Sequence, residues 1–388
     1  MRIAVISPAT PPGATGDDVH GDSLARALAH RGHEVHLLTP GRSRLSTEII
    51  DGVEIHHVPE LARHAGDLRR TWAVARTLRR LGSFDVVQAP VGGGQAWWYS
   101  LRHGSRLVTQ LTTADLEAGR GCPGGQLACR ARSVRHWLER SQARRSALVV
   151  CPLSALAAEL SRRWHVPAPA MAVIPPGVTA PRIDDRLVPA SLRDVPYALF
   201  LDFPGAGRSR SVWMEAVAEI LERSPHLHVV FSLDRSERPP ATAFDALRGG
   251  VPGPPDRLHV VRTISTGQHW AVVRGARVVV MAGHSSAALG ACVTAMALGR
   301  PVVAARGAGL DEVIRDSVDG FIVPADSAPD LASLIGARLS DPESLTRVGL
   351  AAARRASELG VEPMVELLLH RYERLAARFA PVPAAPPR

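Results

Sequence analysis

The chain has 388 residues, 46% of them hydrophobic, enough for two domains of ordinary size with sizeable cores. The formal net charge is +9 and every basic residue is an arginine, yet the arginines are scattered ("LRR", "LERSQARR", "AARRAS") without interleaved aromatics. That pattern points to solvated helix faces rather than nucleic acid, and it is compatible with an anionic phosphate donor. No apolar run reaches the roughly 18 to 20 residues that span a bilayer, so no stable membrane insertion is expected.

The opening "MRIAVISPAT" is too short an apolar run for a signal peptide and reads as a strand, with the cytoplasm as the expected location. Cys122 and Cys129 flank "PGGQLA" at a spacing that matches no usual zinc pattern, and reduced thiols are expected there and at Cys151 and Cys292. A Cys122–Cys129 bridge is the lesser alternative. No metal and no cofactor are expected.

"RIAVIS" predicts a buried strand, followed by the loop "PATPPGATGDD" and a helix "VHGDSLARALAHRG" that Gly32 ends. "HEVHLLTP" is the next strand, completing a Rossmann-type βαβ opening. "VEIHHVP", "FDVVQAP", "SRLVTQLT" and "SALVVCP" predict further strands. An Arg-rich helix lies between the first two, and "SVRHWLERSQARR" supplies the helix before the last. "AMAVIPPGV" closes the first half, and residues 179–195, rich in Pro, Asp and Arg, read as a linker. A second α/β series follows: strand "YALFLDFP", helix "SVWMEAVAEILERSP", then strands "LHVVFSLD", "LHVVRT", "ARVVVMAG", "RPVVAAR" and "GFIVP". The tail "APVPAAPPR" is too Pro-rich to pack.

From "GDDVHGDSLARALAHRGHEVHLLTP", "VIPPGV" and "ARVVVMAGHSSAALGACVTAMALGRPVVAARGAGLDEVIRDSVDGFIVPAD", nearly the whole chain resembles the GT-B glycosyltransferases, most closely the retaining family-four type (glycosyl transferases group 1). The implied fold is α/β, two facing Rossmann-like doubly wound domains with a cleft at the C-terminal ends of both sheets. Residues 1–180 would bind the acceptor and residues 196–360 the donor. A helix over 361–379 would pack back on the first domain, and 380–388 would be a disordered tail. The resemblance implies a phosphate-activated sugar donor, no metal, and helix N-termini and basic side chains that stabilise the departing phosphate.

The resemblance also assigns candidate residues. Where such proteins carry paired glycines in the first loop, this chain has Thr15 and Gly16, then Asp17 and Asp18. Gly16 is a donor-contact candidate, and Asp17 and Asp18 are acceptor-contact candidates. The same segment reads equally as a turn capped by either aspartate. Two carboxylates at a helix start repel phosphate and attract a cationic acceptor such as an aminocyclitol. At the end of "RLVTQLTTADLE", Thr112 stands where relatives often carry a histidine, and Asp115 follows as a catalytic or acceptor-binding candidate. Glu117 reads as a surface carboxylate.

In the second half the family's Gly-Arg pair becomes Asp202 and Phe203. "GAGRSRS" retains Gly207, Arg208, Ser209 and Arg210 entering a helix, a phosphate cradle. The two glutamates eight positions apart fall on Ser286 and Thr294, a degenerate motif that lacks the charged ribose acceptor. His284 reads as an ordinary loop residue or as a base. Gly307, Gly309 and Glu312 keep the pattern of the loop whose amides reach the donor. These losses fit a donor whose pyrophosphate is held while its nucleoside is contacted differently or is absent, as in phosphoribosyl pyrophosphate. The expected activity is sugar transfer to a hydroxyl of a small polar acceptor in natural-product, aminoglycoside-like, biosynthesis. The alternative is a catalytically silent GT-B protein that partners another transferase.

Overall fold

The computed structural model describes residues 1–7, 17–41, 45–58, 67–111, 126–201, 208–233, 256–262, 265–281, 286–307, 309–324 and 327–379, with the backbone alone at 17–20, 126–132, 208–212, 233 and 286–287. The chain divides into two units, Met1–Gly177 with Val361–Arg388, and Val178–Gly360.

The first unit holds an eight-stranded sheet. Its strands are β1 (Arg2–Ile6), β2 (Glu34–Pro40), β3 (Ser46–Ile50), β4 (Val53–Val58), β5 (Val86–Pro90), β6 (Leu107–Gln110), β7 (Leu148–Cys151) and β8 (Met171–Val173), in the order β3-β4-β2-β1-β5-β6-β7-β8. All pairs are parallel except β3 with β4. Its helices are α1 (Asp17–His30), α2 (Asp67–Leu81), α3 (Trp97–His103), α4 (Gln126–Arg145), α5 (Ser154–Trp164) and α11 (Val361–Ala376).

Both faces of the central strands are covered, so β1, β5 and β7 are largely apolar, while the edge strand β3 is exposed throughout. Ile3, Val5, Val35, Leu37, Val86 and Val108 share one core with Leu24 and Leu28 of α1 and with Leu368 and Tyr372 of α11. Ala4, Ile6, Leu38, Val87 and Ala89 face the other way, against Val74 and Leu78 of α2. The alternation along β1 and β2 is the two-residue period of a strand sorting its side chains to opposite faces. The helix expected over 361–379 is α11, packed on α1 and β5 of this unit. Its buried Tyr372 hydroxyl donates to the Gln88 side-chain oxygen.

Four elements differ from the expectations. β3 is an additional edge strand, joined to β4 through Asp51 and Gly52, both at positive φ. Helices α3 and α5 occupy segments where none was expected. Helix α1 begins at Asp17, two residues earlier than the "VHGDS" pattern suggested.

The second unit holds a six-stranded parallel sheet. It comprises β9 (Tyr197–Leu201), β10 (His228–Leu233), β11 (Leu258–Arg262), β12 (Val278–Met281), β13 (Val302–Ala305) and β14 (Phe321–Val323), in the order β11-β10-β9-β12-β13-β14. Helices α6 (Arg208–Arg223), α7 (Thr266–Gly275), α8 (Ser286–Ala297), α9 (Ala328–Leu339) and α10 (Pro342–Glu358) accompany it. Phe200, Phe231, Val280 and Phe321 of the sheet pack with Trp213, Val217 and Ile220 of α6 and Leu331 and Ile335 of α9. Each side chain buried as fully as Phe231 contributes about 1.5–3 kcal/mol. The stretch 179–195, expected as a linker, groups with this unit; it holds two 3-10 turns, and Asp185–Leu187 packs on α7. Cys151 and Cys292 are buried thiols, each pushed up to about 12 by desolvation. Cys122 and Cys129, like the tail 380–388, lie outside what is described of the side chains.

Candidate functional site

In the second sheet the chain runs outward from β9 through β10 to β11, then returns to β12 beside β9 and runs the other way. That reversal is a topological switch point, and the C-terminal ends of the strands flanking it are where open α/β sheets bind ligands. Leu201, Met281 and Ala304 are register partners across β9, β12 and β13, so the three strands end level with one another. Past that edge come the N-terminus of α6 at Arg208, the N-terminus of α8 at Ser286, and the turn of Gly307 and Gly309. Neither α6 nor α8 has an acidic residue in its first turn. No carboxylate within either first turn therefore offsets the helix N-terminal partial charges, and Arg208 and Arg210 stand in the first turn of α6. The exposed Arg306, directly before Gly307, adds a further cation that the sequence reading did not single out.

The structure thus brings Arg208, Ser209, Arg210, Ser286, Gly307, Gly309 and Glu312 to one edge. Gly307 (φ 79°) and Gly309 (φ 83°) adopt the left-handed conformation that side chains other than glycine's disfavour. The Gly307 amide donates to the Asp311 carboxylate at 3.1 Å, which fixes the turn. Glu312 is exposed and closes the 3-10 turn Leu310–Glu312 through its own amide to the Gly309 carbonyl at 3.2 Å. Thr294 lies two turns into α8, is 6% exposed, and donates its hydroxyl to the Gly290 carbonyl at 2.8 Å. The hydroxyl proton is therefore held inside the helix. Gly207 and His284 lie outside the described residues.

The first sheet has its own switch point, between β1 and β5. At this edge α1 begins with Asp17 and Asp18, and β5 runs into the 3-10 turn Gly92–Gly94. Gly16, Thr112 and Asp115 lie outside the described residues. Sequence reasoning missed the glycine turn and what holds it. Glu139 of α4, 2% exposed, accepts the Gly93 amide at 2.7 Å and Arg135 Nε at 3.0 Å. Burial raises its carboxyl, and the Gly93 amide and Arg135 offset part of that. Gln142 accepts the Ala96 amide at 2.8 Å and donates to the Pro90 carbonyl at 3.0 Å. Gly94 has no room for a side chain, since a Cβ there would meet Leu138 at 2.6 Å. The available signal was a Glu and a Gln on the same stripe of α4 as Leu138 and Ala143.

Two side-chain oxygens at this edge, Gln95 Oε1 and Gln110 Oε1, are buried without a partner among the described residues. Buried acceptors of this kind are satisfied by donors from a ligand or from water.

Among the described residues one cluster, His36, Glu54 and His56, has the composition of a metal site. The His36 and His56 rings are tilted by only 8° with centroids 5.3 Å apart, and Nδ1 and Nε2 face each other at 3.0 Å. The rings therefore lie end to end, which suits an N–H···N hydrogen bond. Two lone pairs converging on an ion about 2.0–2.1 Å from each nitrogen would need different ring orientations. Glu34 Oε1 at 3.1 Å from His36 Nε2 and Thr47 Oγ1 at 3.0 Å from His56 Nδ1 extend the chain. The cluster is set back from the C-terminal edge.

Residues 16–182 match the family described as Glycosyltransferase Family 4, and residues 210–341 match Glycosyl transferases group 1. The chain is 28% identical to the D-inositol 3-phosphate glycosyltransferase of Xylanimonas cellulosilytica, over 97% of each. Its fold is similar to that of sucrose-phosphate synthase from Thermosynechococcus elongatus, with a TM-score of 0.70 at 20% identity, covering 97% of this chain and 100% of that one. It is also similar to an E. coli structure named for trehalose-6-phosphate and bound with UDP-2-fluoro glucose, with a TM-score of 0.67 at 12% identity, covering 96% and 99%.

Proposed function

We propose that this chain, a glycosyltransferase of the GT-B type carrying a family-four domain and a group 1 domain, moves a sugar from a diphosphate-activated donor to a hydroxyl of a small, amine-bearing polyol. The observation that carries the donor half is the level alignment of Leu201, Met281 and Ala304, which delivers two acid-free helix N-termini and the Gly307–Gly309 turn to one edge. Arg208, Arg210 and Arg306 add cations there. As the acceptor oxygen bonds to the anomeric carbon, the bond from that carbon to the diphosphate breaks, and negative charge grows on the leaving phosphate. Cations and amides fixed in advance stabilise that charge. The leaving phosphate takes the acceptor's proton, so no side-chain base is required, and the anomeric configuration is retained.

The nucleoside contributes little to binding in this reading. A carboxylate accepting both ribose hydroxyls is replaced by Thr294, whose proton is already donated to Gly290. A nucleotide sugar remains the first donor to test, and phosphoribosyl pyrophosphate, which has no such ribose, is the second.

The acceptor half rests on the first unit. A polyol suits relatives named for D-inositol 3-phosphate. Asp17 and Asp18 at the start of α1 disfavour a phosphate on that polyol and favour an ammonium group. The Gln95 and Gln110 oxygens, without a partner among the described residues, could accept hydrogen bonds from hydroxyl or ammonium donors. An amine-bearing polyol acceptor is consistent with a role in making aminoglycoside-like small molecules.

The test is turnover, read by mass spectrometry, with UDP-, dTDP- and GDP-sugars and phosphoribosyl pyrophosphate. Each donor is paired with an aminocyclitol and with inositol 3-phosphate. Product on the aminocyclitol alone supports the reading, and product on inositol 3-phosphate alone overturns the acceptor half. If no donor is consumed, Thr294's internal bond favours the silent-partner reading instead.

A further inference from the structure

Four of the chain's seven tryptophans gather on one outer face of the first unit. Trp97 packs against Trp98 at 5.6 Å and Trp137 at 5.3 Å between centroids. Trp72 and Trp98 flank a groove of about 650 Å³ between α2 and α3. These rings are not core. Trp72 and Trp98 are each 43% exposed, Leu101 45% and Trp137 55%. Exposed apolar side chains scattered singly need no explanation, but a contiguous ridge of indoles marks a surface that meets something.

The rim of the groove fixes the charge of the partner. Arg79, Arg102 and Arg106 line it together with His103. His103 is held below its usual range by burial and by those three guanidiniums. The only carboxylate on α2 or α3 is Asp67, which sits 3.7 Å from Arg70. In α2, Arg76 lies over the Trp72 ring at 5.1 Å, so an indole and a guanidinium share this face within one helix.

We propose that this face docks reversibly on an anionic phospholipid surface, with Trp72 and Trp98 at the level of the headgroups and Arg79 and Arg102 against lipid phosphates. Indole is favoured where an apolar body and a polar N–H meet the two sides of a membrane interface. The apolar stripe of α2 is buried in the sheet core, so contact falls to the exposed indoles and guanidiniums of the outer face, a peripheral mode in keeping with the absence among the described residues of any helix long and apolar enough to span. Leu68 and Leu101 are exposed beside the indoles. Aliphatic side chains gain from contact with acyl chains but offer nothing for nucleic-acid bases to stack on. The docking is independent of the donor and acceptor readings above.

The test is co-sedimentation of the full chain with phosphatidylcholine vesicles and with vesicles containing phosphatidylglycerol, at low and high salt. Retention is expected only on the anionic vesicles and only at low salt. Arg79→Gln with Arg102→Gln should cut it by roughly tenfold or more, and Arg79→Lys with Arg102→Lys should keep it. Trp72→Ala with Trp98→Ala should weaken it with the circular dichroism spectrum unchanged. No retention on anionic vesicles, or equal retention by the Gln pair, overturns the proposal. So does retention by RNA or an acidic protein with none by vesicles.

Discussion

The Thr294 hydroxyl donates to the Gly290 carbonyl, 2.8 Å away and one turn back in the same helix. That bond separates two functions a polar residue could serve at this position. A side chain turned on its own backbone steadies the helix, whereas a carboxylate projecting from the same place would grip a ribose.

Thr294→Val keeps the side chain's shape and removes the bond. The Gly290 carbonyl retains its helical amide partner, so the loss of stability is about 1 kcal/mol or less. Affinity for the donor diphosphate should change by no more than about twofold, since a net hydrogen bond to the ligand would be worth more than that. Denaturant unfolding and calorimetry read the two quantities separately. A roughly tenfold loss of affinity would return Thr294 to the ribose.

Gly307→Ala isolates a conformational effect. A Cβ built there meets nothing within 4 Å, and the only obstacle is φ at 79°. The variant should lose about 1–2 kcal/mol, the usual penalty of a left-handed alanine. A loss of several kcal/mol in urea unfolding would mean crowding that the structure does not contain. Donor affinity should fall as well if, as proposed, the turn lies against the donor diphosphate.

Glu139 makes a pH signature. Its carboxyl is raised above the usual 4.5 by burial, so the folded chain holds the proton more tightly than the unfolded one. Stability from this group is therefore full below pH 4.5 and is lost as pH rises through the raised folded value. Glu139→Gln has no proton to lose. The difference in melting temperature, native minus variant, should become less favourable to the native chain across that window. A difference that is flat or rises with pH contradicts the assignment.

Much of the fold was legible because parallel strands buried on both faces are unbroken apolar runs, as "RIAVI", "YALFL" and "VVVM" are. The edge strand β3 was not, since every residue of "STEII" is exposed. Its hairpin left a readable sign in Asp51-Gly52, a turn dipeptide between two such runs. The resemblance named candidate residues at this edge of the second sheet, but the level alignment of Leu201, Met281 and Ala304 comes from register, which no local pattern encodes. The Gly92–Gly94 turn escaped notice because its support, Glu139 and Gln142, lies about fifty residues downstream, in a helix whose many arginines masked its buried stripe.

We propose that the second unit holds its donor through the diphosphate, by Arg208, Arg210 and the amides at the ends of β9, β12 and β13. Calorimetric titration of the native chain and of Arg208→Ala with Arg210→Ala, using inorganic pyrophosphate, UDP, dTDP, GDP and phosphoribosyl pyrophosphate, tests it directly. Pyrophosphate should bind within about tenfold of the tightest nucleotide, and the double variant should weaken every ligand by roughly tenfold or more. A single nucleoside diphosphate bound hundreds of times more tightly than pyrophosphate, on the order of two charged hydrogen bonds to ribose, or affinities untouched by loss of both arginines, would contradict it.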